Sequence, residues 1–412
     1  MWIPILVILG KSIKGVKTDI MEFDIDKLTI LPALNFVSQA VVVKSAIPIF
    51  KTILISAEKG SVIVRATNNI FDMRYTVPAN VKLEGSCCVD SMLVGLLDCF
   101  SDDLIHFKKG ARLSITQGSR RHQLVYVDPE MFPQLPDISV NYETVDAKSL
   151  SRALMCCLGS CLVAGDRPIL QTYYINPHTR QIITGDGTRV SLYTDIKVPG
   201  NSANPPAKIL SSVLLPGIRS LDSETTLEAC FGVRSGFRTA NWEIFITSLS
   251  GEFPAVAGKI ILDALHVEPK LTVTFDKLEL KNVLRVCSLY ANRAYTENKQ
   301  AQSSMVYEGG NSLRFAMDIV DLSKVDEPIK KFEAKGVDNF EILINPTYLL
   351  GVLDNIIADV VEVRFFSNIK PFLVLDRKDP NYVYLQIPLV MPREVELAKQ
   401  TMMELGGDNL DF

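Results

Sequence analysis

Phe23-Asp24-Ile25-Asp26, followed by Ala33-Leu34, is the stretch that decides how this chain is read, because it returns twice. Thr144-Val145-Asp146 leads to Ala153-Leu154, and Thr274-Phe275-Asp276 leads to Val283-Leu284. In each copy an Asp stands 8 residues ahead of the Leu, between a β-patterned run and an apolar helical pattern. A carboxylate at that junction can accept from the free N–H groups of a first helical turn and suits the positive end of the helix dipole. The copies start 120 and then 130 residues apart, the length of a domain and far more than a solenoid repeat.

Each copy continues in the same way. Hairpins are predicted over 53–57 and 62–67 around Glu58-Lys59-Gly60, and over 173–176 and 181–184 around 177–180. A third is predicted over 305–308 and 313–317 around Gly309-Gly310-Asn311. Gly and Asn there permit the positive φ of tight turns. A second helix is expected over 91–100, 208–220 and 345–357. A three-strand meander follows, turning in the first copy at Lys108-Lys109-Gly110 and Gln117-Gly118-Ser119 and ending in 122–127. The later meanders are expected to turn at Arg234-Ser235-Gly236 and Ser367-Asn368, the last ending in 382–387. The fold class is therefore α+β, with three tandem domains, each of two helices on an antiparallel sheet. The chain divides into an extension over 1–20, domains over 21–140, 141–268 and 269–393, and a tail over 394–412. A misassigned start would account for the extension, since the repeat begins at Met21. Three such domains leave a sheet edge free at each end. A symmetric dimer would close six of them into a ring, and an open crescent covered by another protein is the alternative.

The composition fits a chain with several cores: 412 residues, 47% hydrophobic and 22% charged, which argues against a largely disordered polymer. Residues 394–412 hold Glu394, Glu396, Glu404, Asp408 and Asp411 against Lys399 alone, so the whole net charge of −4 resides there and the rest is neutral. A neutral body leaves nucleic acid open as a partner, because binding depends on where Lys and Arg cluster. The 8 Cys include the pairs Cys87-Cys88 and Cys156-Cys157 but no CxxC, and the 4 His stand far apart. Reduced, buried thiols in a cytoplasmic protein are the expectation, with no metal site. The apolar run 2–9 is too short to span a bilayer, and its positive charges follow it where a signal peptide has them first. Gly10-Lys11-Ser12 ends like a phosphate loop, yet Ile5 occupies the place of its first glycine. No HExxH or GxSxG motif is present, so neither catalytic residues nor a cofactor are expected.

On this frame four motifs resemble the bacterial DNA polymerase III beta subunit, the sliding clamp. Gly185-Asp186-Gly187-Thr188-Arg189-Val190 is similar to the family's Thr-Asp-Gly-His-Arg-Leu, and Phe253-Pro254, with Phe132-Pro133 one repeat earlier, to its Phe-Pro. Tyr384-Leu385-Gln386-Ile387-Pro388-Leu389 resembles the terminal Tyr-Val-Val-Met-Pro-Met, and Asn345-Pro346-Thr347-Tyr348-Leu349-Leu350 resembles Asn-Val-Ser-Tyr-Val-Leu. The resemblance runs from Met21 to about Met391. It implies clamp-type domains closing into a ring as a head-to-tail homodimer around double-stranded DNA. Such a ring tethers the DNA polymerase, and meets it and the clamp loader, through short linear motifs. Thr188 in place of the family's His and the added tail are departures.

The resemblance also implies sites. A cleft taking peptides of the Gln-Leu-x-Leu-Phe type would comprise Ile175, Gly187, Arg189, Val190, Pro254, Lys259, Ile260, Tyr348, Ile387, Pro388 and Leu389. Apolar walls with a few polar anchors suit Leu and Phe side chains. Lys277, Lys281 and Arg285 recur four apart on one helix, and Lys148 with Arg152 repeat the spacing one domain earlier. With Lys44, at a basic loop position of the family, they could face DNA and neutralise phosphates without reading bases. His122 and Leu124 against Leu289 and Tyr290 match the family's dimer seam, while Leu289 also suits packing within its own domain. The closing Asp408-Asn409-Leu410-Asp411-Phe412 resembles the acidic, Leu/Phe-ending peptides that clamps bind, although a frayed terminus is the simpler reading. A non-catalytic scaffold of the same fold that does not encircle DNA is the rival to the clamp reading.

Overall fold

The computed structural model describes residues 20–101, 103–134, 142–199, 205–221, 225–296, 301–319 and 323–389. The extension up to residue 19 and the acidic tail lie outside them. The chain forms two compact units, one of residues 1–139 with 240–245 and one of 140–239 with 246–412. The first holds the first repeat with a short piece of the second, and the second holds the rest of the second repeat and the third.

In the first unit the predicted hairpin forms from Thr52–Glu58 and Ser61–Thr67, with Gly60 at φ +80° in the turn. The strands belong to two antiparallel sheets where the sequence reading had one. Asn80–Leu83, Met21–Asp26, Leu104–Lys109, Leu113–Gln117 and Arg120–Leu124 make one, in that order. Tyr126–Val127, Gly85–Asp90, Thr52–Glu58, Ser61–Thr67 and Phe71–Pro78 run in order through the other. Alternate burial along Met21–Asp26 shows why a period-two sequence settles here: Met21, Phe23 and Ile25 face the core. Helix α1 (Lys27–Ser38) buries Ile30, Ala33, Leu34, Phe36 and Val37, and α2 (Met92–Asp98) buries Leu93 and Leu97. The Lys27 ammonium donates to the carbonyls of Asp98 (3.0 Å) and Phe100 (2.6 Å), satisfying oxygens that the end of α2 leaves unpaired.

The second unit repeats the plan with α3 (Ala147–Leu158) and α4 (Ser211–Arg219), then α5 (Val256–Leu265), α6 (Lys277–Thr296) and α7 (Pro346–Leu353). Helix α4 starts later than expected because 207–210 are a strand, and α5 was not anticipated: its N-cap, Ala255, offers no side-chain acceptor. The expected turn at Arg234-Ser235-Gly236 is instead inside the strand Arg234–Arg238. Gly236 serves close packing there, since a Cβ would collide with the Tyr142 hydroxyl and lie 3.0 Å from Cys230 Sγ. The capping role expected of the three aspartates is met twice. Asp146 accepts from the N–H groups of Lys148 (3.1 Å) and Ser149 (3.3 Å), and Asp276 from that of Glu279 (2.9 Å). Asp26 makes no such bond.

One antiparallel sheet runs through both repeats of this unit. Its order is Ala207–Leu210, Thr172–Asn176, Gln181–Gly185, Arg189–Tyr193, Tyr382–Gln386, Phe372–Leu375, Val360–Phe365, Leu271–Asp276 and Phe332–Gly336. The join is made by Arg189–Tyr193 against Tyr382–Gln386, in the register Arg189↔Gln386 to Tyr193↔Tyr382. A second sheet of the third repeat orders Ser323–Ile329, Ser312–Ile319, Ala301–Gly309 and Phe340–Ile344. None of the eight cysteines is in a disulfide; seven are buried as expected and Cys99 is exposed.

Candidate functional site

The strand join sorts the cleft candidates by side-chain alternation. On one face Tyr174 pairs with Ile183, Ile183 with Leu192, Leu192 with Val383, and Val190 with Leu385. Buried Ile183, Leu192, Phe253, Ile261, Leu373, Val383 and Leu385 form a floor. Tyr174, Val190 and Ile260 lie half-buried against it, a rim open to an apolar ligand. The rings of Tyr174 and Phe253 stack at 5.1 Å, and Gly258 lets α5 close on the sheet, since a Cβ there would stand 2.6 Å from Ile183 Cδ1. The Ile387 N–H donates to the Thr188 carbonyl at 2.8 Å and so extends the ladder; Ile387 and Leu389 remain 36% and 39% exposed.

The polar anchor stands at the start of the strand Arg189–Tyr193, next to Val190. Asp186 accepts from the Thr188 N–H (2.9 Å), the Thr188 hydroxyl (2.7 Å) and the Arg189 N–H (3.1 Å), closing a turn in which Gly187 takes φ +96°. Its second oxygen holds Arg189 Nε at 2.7 Å, and the guanidinium lies over the Tyr348 ring at 3.9 Å. Asn345 caps α7 through the N–H groups of Thr347 and Tyr348, and its carbonyl accepts from Gln386 at 3.3 Å. The motifs singled out in the sequence therefore meet where the strands of the second and third repeats join.

Two expectations shift. Ile175 is fully buried and pairs with Ile182 on the face toward α3, so Tyr174 takes the place expected of it. Pro388 is buried, whereas Pro254 and Lys259 are exposed. Tyr174 and Leu385 were missed. One residue of register separates Tyr174 from Ile175, and only Phe253, on a distant segment, reveals which of the two faces the rim.

The basic residues divide sharply. Lys44, Lys148 and Arg285 are exposed, Lys148 with only the charge of Asp146 in its own turn nearby. The other three are engaged within the protein. Arg152 pairs with Asp379 at 3.0 Å and donates to the Asn355 carbonyl at 2.5 Å, tying α3 to the third repeat. Lys277 donates to the Ile356 carbonyl at 2.9 Å, as Lys27 does to the end of α2, and Lys281 pairs with Asp354. Spacing alone cannot tell such lysines from solvated ones, because helix periodicity leaves the neighbouring element unspecified.

Arg120–Leu124, with half-buried His122 and Leu124, is the edge strand of its sheet in the first unit. The ring of His122 lies 5.3 Å from that of Phe100. In the second unit Leu289 and Tyr290 on α6 are 71% and 37% exposed, so packing within the domain does not account for Leu289. Ser323–Ile329 is an edge strand there.

A family model described as the DNA polymerase III beta subunit, N-terminal domain, matches residues 21–136. A second, described as the C-terminal domain of the same subunit, matches residues 265–390. Together they span well over half of the chain. A protein named Beta sliding clamp from Staphylococcus epidermidis is 24% identical over 398 residues, covering 90% of this chain and 99% of its own. Its namesake from Staphylococcus aureus is 24% identical over 403 residues, with the same coverage. Among solved structures, a beta sliding clamp from Caulobacter crescentus superposes with a TM-score of 0.78 at 20% identity, covering 91% of this chain and all of that one. The Bacillus subtilis sliding clamp gives 0.78 at 17% identity, covering 90% of this chain and 99% of its own.

Proposed function

The chain belongs to the DNA polymerase III beta subunit family, and on that premise we propose that it is a sliding clamp. It encircles duplex DNA as a head-to-tail homodimer and tethers the replicative polymerase and other replication and repair proteins. The carrying observation is the family match at both ends of a chain whose two units each expose a sheet edge, Arg120–Leu124 in one and Ser323–Ile329 in the other. Strand addition across such edges, with exposed Leu289 and Tyr290 against His122 and Leu124, gives a second copy the means to close a ring. On this reading the three clamp domains would be 21–140, 141–268 and 269–393.

The function needs no bond-making side chain. A closed ring holds DNA by topology, so a polymerase fastened to it keeps a high effective concentration at its template. Sequence-independent contact by Lys44, Lys148 and Arg285 is compatible with sliding, since phosphates carry charge and no base identity. The half-buried rim of Tyr174, Val190 and Ile260, with Ile387, Leu389 and the Arg189–Tyr348 pair beside it, is the site for short apolar motifs of polymerase and clamp loader. Among the described residues no helix is long and apolar enough to cross a membrane. The cytoplasm, where the DNA is, is the location that the proposed role itself calls for.

The deciding experiment is retention on DNA. Protein assembled on a closed circular duplex should stay bound through gel filtration at elevated salt and be lost once the circle is cut. Equal retention on circle and linear duplex would favour the scaffold reading.

A further inference from the structure

The chain leaves the described residues at Leu389, four residues past Leu385 of the apolar floor. The Leu389 N–H is held by the Leu343 carbonyl at 2.9 Å, so the departure point is anchored in the third repeat. Beyond it lie 23 residues whose sequence differs from the rest of the molecule. The last 19 of them, 394–412, carry the entire net negative charge of the protein and close with Leu410-Asp411-Phe412, two large apolar side chains with one residue between them. The rim has the opposite character. It is apolar through Tyr174, Val190 and Ile260, and Lys259, next to Ile260 on α5, is an exposed cation with no partner among the described residues.

We propose that residues 408–412 occupy this rim in the same chain, so that each clamp carries its own competitor for partner proteins. The inference rests on the rim being the partner site and goes beyond it by naming a resident ligand. In an extended stretch, alternate side chains fall on one side, which puts Leu410 and Phe412 together toward the apolar floor and Asp411 toward water or Lys259. Reach is not limiting: the 18 residues from 390 to 407 span up to about 60 Å when extended, far more than a return to their own starting point requires. Tethering converts a weak ligand into an effective one. A linker of this length keeps the tail at an effective concentration of order 1 mM, so a tail with an affinity of ~100 μM would be docked about nine-tenths of the time. A partner that engages at one site only is then weakened about tenfold, and one with several contacts displaces the tail.

The test uses a fluorescein-labelled peptide of residues 404–412 and three forms of the protein: the full chain, the chain ending at Arg393, and the full chain carrying Leu410→Ala with Phe412→Ala. The peptide should bind the truncated and doubly substituted forms, and the full chain about tenfold more weakly. Lys259→Glu in the truncated form should weaken the peptide several-fold. This exposed change leaves the fold intact, whereas Val190→Asp, which should abolish binding, requires a check of folding. Equal affinity for the full and truncated chains would overturn docking within the chain. If the truncated form ignores this peptide yet binds one of the Gln-Leu-x-Leu-Phe type, the tail proposal fails while the partner-site reading stands. If it binds neither, both fail.

Discussion

The guanidinium of Arg189 lies 3.9 Å above the ring of Tyr348 while Asp186 grips its Nε at 2.7 Å. The strand Arg189–Tyr193 belongs to the second repeat and Tyr348 to α7 of the third, so one side chain ties the two repeats together beside the rim. A planar cation held edge-on by a carboxylate and face-on by a ring cannot be replaced by a lysine ammonium, which lacks the fork and the flat face. Arg189→Lys should therefore weaken binding of a polymerase-tail peptide, and Arg189→Ala by more. A double-mutant cycle with Tyr348→Ala should show coupling of about 0.5–2 kcal/mol in calorimetric titrations. Additive effects would mean that the stacking contributes nothing to the site.

Arg152 and Arg285 were equivalent in the sequence and are opposites in the structure. Arg152→Ala strips Asp379, itself buried, of its ion pair and frees the Asn355 carbonyl. A loss of about 2–3 kcal/mol in denaturant midpoints is expected, below the ~3–5 of a fully enclosed pair because the guanidinium is 26% exposed. Arg285→Glu should leave stability unchanged and make DNA retention more sensitive to salt, each lost phosphate contact changing the salt slope by about 0.9. A matching salt effect from Arg152→Ala alone would reverse the assignment.

The three aspartates invite a comparison of equivalent positions. Asp146→Ala should cost about 0.5–2 kcal/mol, the usual range for a lost cap, and Asp26→Ala close to nothing. The Ser149 hydroxyl, then the Ser149 and Lys148 N–H groups, hold Asp146 below its ordinary value of 3.8. A lowered carboxylate stabilises above its unfolded value, and that contribution disappears as pH falls through the folded value. The difference between wild type and Asp146→Ala should thus be full at pH 6 and shrink below pH 4 in thermal melts.

Exposed Leu289 should be critical to assembly and unimportant to folding. Leu289→Asp or Tyr290→Asp is expected to sediment as a monomer with an unchanged melting curve. A dimer that persists would move the seam elsewhere.

Thiol chemistry offers an independent check of the cores. Burial pushes Cys88, Cys156 and Cys161 up to about 12 and Cys287 to about 11. At pH 8 a thiol reagent should modify Cys99 rapidly and those four only on unfolding.

Much of this architecture is written locally and could be read from the sequence. The Asp-to-Leu spacing, the hairpin turns and the antiparallel α+β pattern each depend on a few neighbouring residues, and each is found, with Asp26 the exception among the caps. What the sequence left undecided is whatever depends on a distant partner. Lys277 looks like a DNA-facing lysine until the end of α7 is placed beside it, and Ile175 looks like a cleft residue until Phe253 selects Tyr174. Gly236 reads as a turn until Tyr142 fills the space above it. Periodicity specifies which residues share a face and leaves open what that face meets.

The pairing of Arg189–Tyr193 with Tyr382–Gln386 carries a consequence for how this molecule comes apart. A sheet continuous through two repeats makes them a single cooperative block, so the unit that recurs along the sequence is not the unit that melts. Fraying can begin at outer strands such as Phe332–Gly336 or Ala207–Leu210, but the wall behind the rim lies at mid-sheet, among the last hydrogen bonds to open. A peptide arriving there meets a surface already set.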